Sequence, residues 1–323
     1  MLFYVIGLIL TCLMLVALPK EAYQGDPFRI MVMVMIYAAI YFSFFTRKGK
    51  AFIQKGFANP FRAALILMIL LNLFAIGITG VFSVVFLGKS VAAFLIPALL
   101  VYAFKAREGR FHPIDIVTFL LAYLFILLKI PNLPMVKFAF AGGAVSLNGI
   151  YSLMVLFLLF LFVGTRKIEL GLEFKFTPKM LLWTLIFAVI LIPVDLFIGV
   201  QLKFISYSGF HSSLLFAGIS AVFMVFFASM SEEIFFRGLI YNYLAQYVSP
   251  KGLGNLSYWV PLLISSLIFG ATHLDKFGWA MFPLATIAGI FYGLTYIKTK
   301  NLFCAVLIHT LTNLCWQLFF VTN

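Results

Sequence analysis

Long apolar runs, separated by short polar or basic stretches, fill the chain from one end to the other. A helix that crosses a bilayer needs about 20 mostly apolar residues, and a scan for runs of about this length finds about eleven. We predict spans at 2–18, 30–45, 63–80, 82–104, 114–130, 149–165, 180–200, 213–247, 257–274, 279–297 and 302–320. The pattern therefore predicts an all-α, polytopic helical membrane protein with about eleven transmembrane spans.

The composition also favours a membrane protein and excludes a soluble one. Of the 323 residues, 64% are hydrophobic and 10% are charged, whereas soluble domains carry roughly 25% charged residues. The formal net charge of +13 could suggest a nucleic-acid partner. However, the basic residues stand in short clusters between apolar runs, as is typical of topology signals in membrane proteins. We therefore expect membrane lipid as the surroundings and no nucleic acid as a partner.

Three basic clusters set the predicted orientation. They lie near 47–62, 105–110 and 166–179, and two predicted spans separate each cluster from the next. Because basic loops stay in the cytoplasm, all three clusters and the N-terminus are predicted to be cytoplasmic. The first apolar run has no basic segment before it, so we interpret it as a retained helix and not as a signal peptide.

Ionisable residues inside the apolar runs are candidates for function, because a charge at the centre of a membrane helix costs about 2.5–3.5 kcal/mol. Glu232 and Glu233 are adjacent in one such run. In a helix, Arg237 lies one turn after Glu233 and can neutralise it, whereas Glu232 points about 100° away. The segment fits a general base beside a structural ion pair. It fits equally a helix end at which Glu and Arg meet water.

Two histidine pairs lie in later apolar runs. Phe269 and His273 share one helical face, and a histidine can polarise water or share a proton with a carboxylate. His309 and Asn313 also share a face and offer two neutral donors that suit a developing oxyanion. The alternatives are a helix-end histidine facing headgroups for His273, and a helix–helix hydrogen bond for the second pair.

The depths of these groups in straight, upright helices agree only in part. Counted from the Gly/Pro-rich stretch at 249–254, Glu232 and His273 lie at nearly equal depth. His309 would lie about 10 Å shallower at 1.5 Å per residue. Tilt, a break in the Glu-bearing helix or a re-entrant start would be needed to bring the three groups together.

Other intramembrane features have simpler interpretations. Gly289 and Gly293 form a Gly-x-x-x-Gly pattern between the two histidine helices, which predicts close helix packing. Asp195 follows Pro193 in the seventh predicted span. We expect its carboxylate to reach the headgroup region, with tuning of the site as the alternative.

In this order, Glu-Glu-x-x-x-Arg, Phe-x-x-x-His and His-x-x-x-Asn resemble the motif set of the CAAX protease and bacteriocin-processing family. That family consists of intramembrane glutamic endopeptidases related to the type II prenyl-protein protease. The positions filled here are Glu232, Glu233, Arg237, Phe269, His273, His309 and Asn313. The resemblance covers roughly residues 213–320. It implies a catalytic core at 180–323, accessory transmembrane helices at 1–179, and a bacterial-type plasma membrane.

The resemblance also implies a chemistry. Glu232 and His273 would activate a water for attack on a peptide or protein substrate, with or without a lipid group. His309 and Asn313 would stabilise the oxyanion. The remaining motif positions would support the site: Glu233, Arg237 and Phe269. No cofactor is implied by this glutamate mechanism.

Other readings of the same residues remain open. Glu232, His273 and His309 could together hold a zinc ion and a water, although the chain has no His-Glu-x-x-His motif. Buried ionisable groups in a multi-span protein also fit a secondary transporter. A third alternative is a non-catalytic membrane immunity protein in which the motif residues form a polar packing cluster.

Overall fold

The computed structural model describes residues 39, 42–79, 81–130, 136–140, 143–147, 149–210, 212–248 and 257–323. The chain divides into two compact units, Met1–Glu169 and Leu170–Asn323. Two predicted spans lie outside the described residues, 2–18 completely and 30–45 for the most part.

The described part of the first unit consists of helices and one short hairpin. The helices are α1 (Arg47–Gly56), α2 (Pro60–Thr79), α3 (Val84–Ala103), α4 (Asp115–Leu127) and α5 (Gly149–Leu159), and α5 continues as the π-helical segment Phe160–Thr165. The hairpin pairs β1 (Val136–Phe140) with β2 (Gly143–Leu147) in antiparallel fashion.

Local signals and one buried ion pair hold this unit together. The Thr46 side chain caps α1 by accepting a hydrogen bond from the Gly49 N–H at 3.0 Å. Every residue of α5 from Leu153 onward is buried, as expected for a helix that is hydrophobic around its whole circumference. Beyond α5, the buried Arg166 guanidinium donates to the Asp115 carboxylate at 2.7 Å, so the end of α5 is fixed to the start of α4.

The second unit contains the remaining described helices. They are α6 (Pro178–Gln201), α7 (Leu214–Phe223), α8 (Met230–Glu233), α9 (Asn242–Tyr247), α10 (Trp259–Ala271), α11 (Leu274–Phe277), α12 (Met281–Thr299) and α13 (Leu302–Phe319). A short strand after α6, β3 (Ile205–Tyr207), pairs with β4 (Phe320–Thr322) at the end of α13.

Three of these helices form one continuous rod. π-Helical segments at Met224–Ser229 and Ile234–Tyr241 join α7 to α8 and α8 to α9, and the backbone at each junction stays right-handed helical. We call this rod, 214–247, the glutamate helix. π-Helical turns inside α-helices are frequent at functional sites, and here they lie on both sides of α8, which carries Glu232 and Glu233.

The described residues show a multi-pass membrane protein with about five or six candidate spans, and the predicted eleven are not shown. Helices long and apolar enough to cross a bilayer are Val84–Ala103, Pro178–Gln201, Phe216–Tyr247, Met281–Thr299 and Leu302–Phe319. A sixth arises if α1 and the start of α2, bent by 104°, count as one span. Other predicted spans contain apolar helices of only 10–17 residues: Asp115–Leu127, Tyr151–Thr165 and Trp259–Ala271.

Helix α12 lies at the centre of the second unit, where it contacts α6, α10 and α13. Glycines bring α10 and α12 close together. A Cβ added to Gly270 would lie 2.1 Å from Thr286 Oγ1, and one added to Gly293 would lie 2.2 Å from Leu262 Cδ1. The close packing predicted for Gly293 is therefore confirmed.

Candidate active site

The candidate site is formed by α8, the C-terminal turn of α10 and the first half of α13. The position of α13 is set by Asn301, whose side chain accepts a hydrogen bond from the Phe303 N–H at 2.9 Å. The Asn301 amide also donates to the Lys175 carbonyl at 2.9 Å. This cap fixes the helix start, and His309 lies about two turns further along.

A buried ion pair lies at the centre of the site, as the Glu-x-x-x-Arg spacing predicts. Arg237 Nη1 donates to Glu233 Oε1 at 2.8 Å, and both side chains are 0% exposed. Arg237 Nη2 donates to the Gly289 carbonyl of α12, also at 2.8 Å. The guanidinium carbon lies 4.6 Å from the centroid of the Phe269 ring and 5.3 Å from that of Tyr292. These cation–π contacts compensate further for burial of the charge.

His309 is joined directly to this pair. Its Nδ1 lies 2.8 Å from Glu233 Oε1, and its ring stacks on Tyr292 with centroids 4.5 Å apart and an interplanar angle of 15°. A carboxylate only accepts hydrogen bonds, so Nδ1 carries a proton and donates it. The glutamates and His309 therefore lie at one level, and the 10 Å offset expected for straight helices is absent.

Glu232 differs from its neighbour in exposure. The side chain of Glu232 is 25% exposed, while that of Glu233 is 0% exposed. Glu232 Oε2 lies 3.6 Å from His309 Nε2, which is too long for a direct hydrogen bond. Glu232 is therefore the carboxylate that water can reach, and it faces the free nitrogen of His309.

His273 lies in the turn after α10 and not within a helix. Its Nδ1 is 2.9 Å from the Phe269 carbonyl oxygen, so this nitrogen donates and Nε2 stays an acceptor. The Phe269 ring touches both imidazoles, with centroid distances of 4.8 Å to His273 and 5.8 Å to His309. The buried Phe269 ring thus packs against both histidines. Asn313 is half-buried one turn beyond His309.

The side chains considered for zinc do not form a metal site. In the described ranges, no three His, Cys, Asp or Glu side chains are grouped so that they could hold a metal ion. The residues do not fit the zinc alternative, and we derive no step through a metal.

Sequence reasoning missed two residues of α12 that contact the site. Tyr292, which stacks on His309, has no feature that separates it from a core tyrosine, and Gly289 was interpreted only as packing. The Gly289 carbonyl belongs to the backbone, so no side-chain pattern in the sequence indicates that it binds Arg237. Asp195 Oδ1 is buried and has no hydrogen-bond partner among the described residues, so this oxygen does not reach the headgroups as expected.

Comparison with known proteins identifies relatives of this chain. Residues 178–315 match the family described as type II CAAX prenyl endopeptidase Rce1-like. The chain is also similar to the membrane-embedded CAAX protease MroQ of Staphylococcus aureus (strain USA300), with 28% identity over 221 residues, or 62% of this chain and 85% of that protein. No solved structure gives a significant match. All seven motif residues lie within the matched segment.

Proposed function

Through residues 178–315 the chain belongs to the Rce1-like type II CAAX prenyl endopeptidase family, a family of membrane peptidases, and we propose that it cleaves peptide bonds with water activated by Glu232. The observation that carries this mechanism is the contrast between two adjacent carboxylates. Glu233 is buried and bonded to Arg237 and His309, whereas Glu232 is partly exposed beside them. Family membership favours a peptidase over the transporter and immunity-protein alternatives.

In the proposed reaction, the Glu232 carboxylate takes a proton from a water molecule whose oxygen attacks the peptide carbonyl carbon. The lone pair on His273 Nε2 helps to orient this water. The resulting tetrahedral oxyanion accepts hydrogen bonds from His309 and Asn313. Glu232 then returns the proton to the leaving amine as the C–N bond breaks, which restores the carboxylate.

The oxyanion role places a condition on His309. Because its Nδ1 proton is bonded to Glu233, the neutral ring presents only a lone pair at Nε2. Donation to an oxyanion therefore requires the imidazolium form. The Glu233 and Glu232 carboxylates lie next to the two nitrogens of this ring, at 2.8 Å from Nδ1 and 3.6 Å from Nε2. With His309 as an imidazolium, the negative charges of Glu232 and Glu233 equal in number the positive charges of Arg237 and His309.

The function can be tested without knowing the substrate. New protein N-termini in membranes of cells that express the wild-type chain would be compared, by terminal labelling and mass spectrometry, with those of cells that express Glu232→Gln. We expect N-termini that depend on Glu232. Identical sets of N-termini at equal expression would contradict the proposal. In the purified protein, chelator inhibition that is reversed by added zinc would replace the glutamate mechanism with a metal-dependent one.

Replacing Asn313 should slow the chemistry without unfolding the protein. Removing one oxyanion donor lowers kcat by about 100- to 1,000-fold in other hydrolases, and we expect Asn313→Ala to do the same with little change in KM. Steady-state kinetics on an identified substrate checks this. Asn72→Ala is the control, because Asn72 is an amide in α2 of the first unit whose side chain bonds the Met68 carbonyl. Equal losses in both variants would contradict the oxyanion role.

We also propose the surroundings in which the enzyme works. The relative MroQ is a bacterial membrane-embedded protein, which supports a bacterial-type plasma membrane. The basic clusters support cytoplasmic placement of the loops that carry them. We further propose that residues 1–179 act as accessory helices to a catalytic core at 180–323, and that lipidated as well as unmodified substrates are candidates.

A further inference from the structure

A chain of buried contacts connects the backbone of α12 to the imidazole of His309. The Gly289 carbonyl accepts from Arg237 Nη2 at 2.8 Å, and Arg237 Nη1 donates to Glu233 Oε1 at 2.8 Å. The same Glu233 oxygen accepts from His309 Nδ1, again at 2.8 Å. Each member is buried, so solvent cannot replace any of these bonds. The orientation of His309 therefore depends on where the guanidinium is held.

We propose that Gly289 is a positioning residue for this site, which sets the place of Arg237 and through it those of Glu233 and His309. The proposal rests on the proposed peptidase function. It assigns Gly289 a role beyond the helix packing predicted from its spacing. Gly289 itself touches no reacting atom, so its effect reaches the chemistry through the groups that it contacts, of which Arg237 is the nearest.

The absence of a side chain at Gly289 is what leaves room for the guanidinium. A Cβ at this position would lie 3.0 Å from Arg237 Nη2, 3.2 Å from Phe269 Cδ1 and 3.2 Å from Ser266 Cβ. Arg237 cannot move away freely, because the Phe269 and Tyr292 rings lie against its guanidinium. An added methyl group would therefore force Nη2 to shift by a few tenths of an ångström, which strains its bond to the carbonyl and disturbs the bonds to Glu233.

The chain offers a matched control one helical turn further along α12. Gly293 also packs against α10, but a Cβ there would meet Leu262 Cδ1 and not Arg237. Gly289→Ala and Gly293→Ala both add one methyl group between the same two helices. We expect Gly289→Ala to lower kcat by about 100-fold, as for a small misplacement of a catalytic group, with KM little changed. Gly293→Ala should keep kcat near the wild-type value.

A double-mutant cycle separates positioning from packing. Arg237→Lys keeps the positive charge but cannot make the two bonds of the planar fork. In that background, Gly289→Ala should cause little further loss of kcat, because the bond it disturbs is already gone. Equal kcat losses in the two glycine variants, or a Gly289→Ala loss that is undiminished in the Arg237→Lys background, would overturn the proposal.

A readout that needs no activity keeps this test separate from that of the proposed function. The imidazole Nδ1 proton of His309, bonded to Glu233, should give an NMR signal that disappears in His309→Gln. We expect Gly289→Ala to shift this signal and Gly293→Ala to leave it in place. A signal unmoved in Gly289→Ala would refute the positioning role, whereas an inactive wild-type protein with the expected shift would refute only the peptidase function.

A separate observation in the first unit supports a second proposal. Helix α1 carries basic residues along most of its length, and its axis is bent by 104° from the apolar helix α2. Because four of its ten residues are Arg or Lys, α1 does not belong in hydrocarbon. If α2 crosses the bilayer, a helix at this angle lies nearly in the membrane plane. Phe52 is 72% exposed beside these charges, as in helices at the headgroup boundary.

We infer that α1 binds anionic lipid headgroups. Arg47, Lys48 and Lys55 are exposed, whereas Lys50 is paired with Glu169 at 3.5 Å. Basic residues near an anionic membrane surface are attracted to its headgroups. The three exposed charges and the apolar Phe52 side chain thus present the two features that an anionic interface recognises.

Lipid retention tests this second proposal. The protein would be purified from vesicles of mixed phosphatidylglycerol and phosphatidylcholine, and the retained lipids quantified by mass spectrometry. We expect enrichment of phosphatidylglycerol in the wild type and a loss of enrichment when Arg47, Lys48 and Lys55 are all changed to Gln. The control removes the same charge from an exposed loop, with Lys105, Arg107 and Arg110 changed to Gln. An equal loss in both variants, or no enrichment in the wild type, would contradict it.

Discussion

Glu232→Gln should lower peptide hydrolysis by about 100- to 10,000-fold, the range that a general acid–base group contributes. The amide keeps the shape of the side chain but cannot take a proton from water. Because Glu232 is 25% exposed and its nearest ionisable partner is His309 at 3.6 Å, the fold should tolerate the change. Turnover in proteoliposomes and thermal unfolding in detergent would be measured on the same preparation.

Glu169→Gln is the matched control for this prediction. Glu169 belongs to the first unit, is 70% exposed and pairs with Lys50, so its loss should change neither turnover nor unfolding temperature. Unimpaired turnover in Glu232→Gln would end the proposed mechanism. A large drop in its unfolding temperature would show instead that Glu232 is a structural residue.

Arg237→Met should lower the free energy of unfolding by about 3–5 kcal/mol, because it leaves Glu233 as a buried carboxylate without its cation. The double variant Glu233→Gln/Arg237→Met should recover much of this loss, since neither charge remains. Thermal and denaturant unfolding of the purified protein would measure both. Turnover should be low in both variants, because Arg237→Met removes the guanidinium that holds Glu233 and the double variant also removes the carboxylate bonded to His309.

Lys298→Met on the same α12 helix is the control. Lys298 is exposed, and its ammonium lies over the face of Trp183 at 5.6 Å from the ring centroid. We expect a change of less than about 1 kcal/mol, the usual size of an exposed cation–π contact. If the double variant were no more stable than Arg237→Met, the burial of an uncompensated Glu233 would not be the cause of the loss.

Much of the helical architecture could be predicted from the apolar pattern. The spans predicted at 180–200, 213–247, 279–297 and 302–320 agree with the observed helices within about two residues. Each run has a start or stop signal that acts locally, such as the Thr177–Pro178 pair before α6 and the Asn301 cap before α13. The predicted span 257–274 ends three residues beyond α10, which stops at Ala271 shortly before the charged pair Asp275–Lys276.

The strands were missed for a different reason. Pairing of Ile205 with Thr322 joins residues far apart in the chain, and the period-2 signal of three-residue strands is too short to detect. Long-range pairing of this kind depends on how α6 and α13 pack, which a single sequence does not specify.

The candidate site shows the same division between local and long-range contacts. The Glu233–Arg237 bond follows from a spacing of four residues in any helix. The bond from His309 to Glu233 spans 76 residues and contradicted the depth estimate, because straight upright helices ignore tilt and the π-helical segments beside α8. The hydrogen bond from Arg237 to Gly289 could not be inferred from the sequence, because its acceptor is the main-chain carbonyl oxygen of Gly289.

The shortness of α10 affects the lipid around the enzyme. Its 13 residues extend about 20 Å at 1.5 Å per residue, against about 30 Å of hydrocarbon in an ordinary bilayer. If α10 crosses the bilayer, shorter acyl-chain extension or inward displacement of headgroups next to it would relieve this mismatch. Either adjustment brings the aqueous phase closer to His273 at the end of the helix. A membrane-embedded hydrolase would then receive water where the bilayer is locally thinned, without a channel through the full thickness of the membrane.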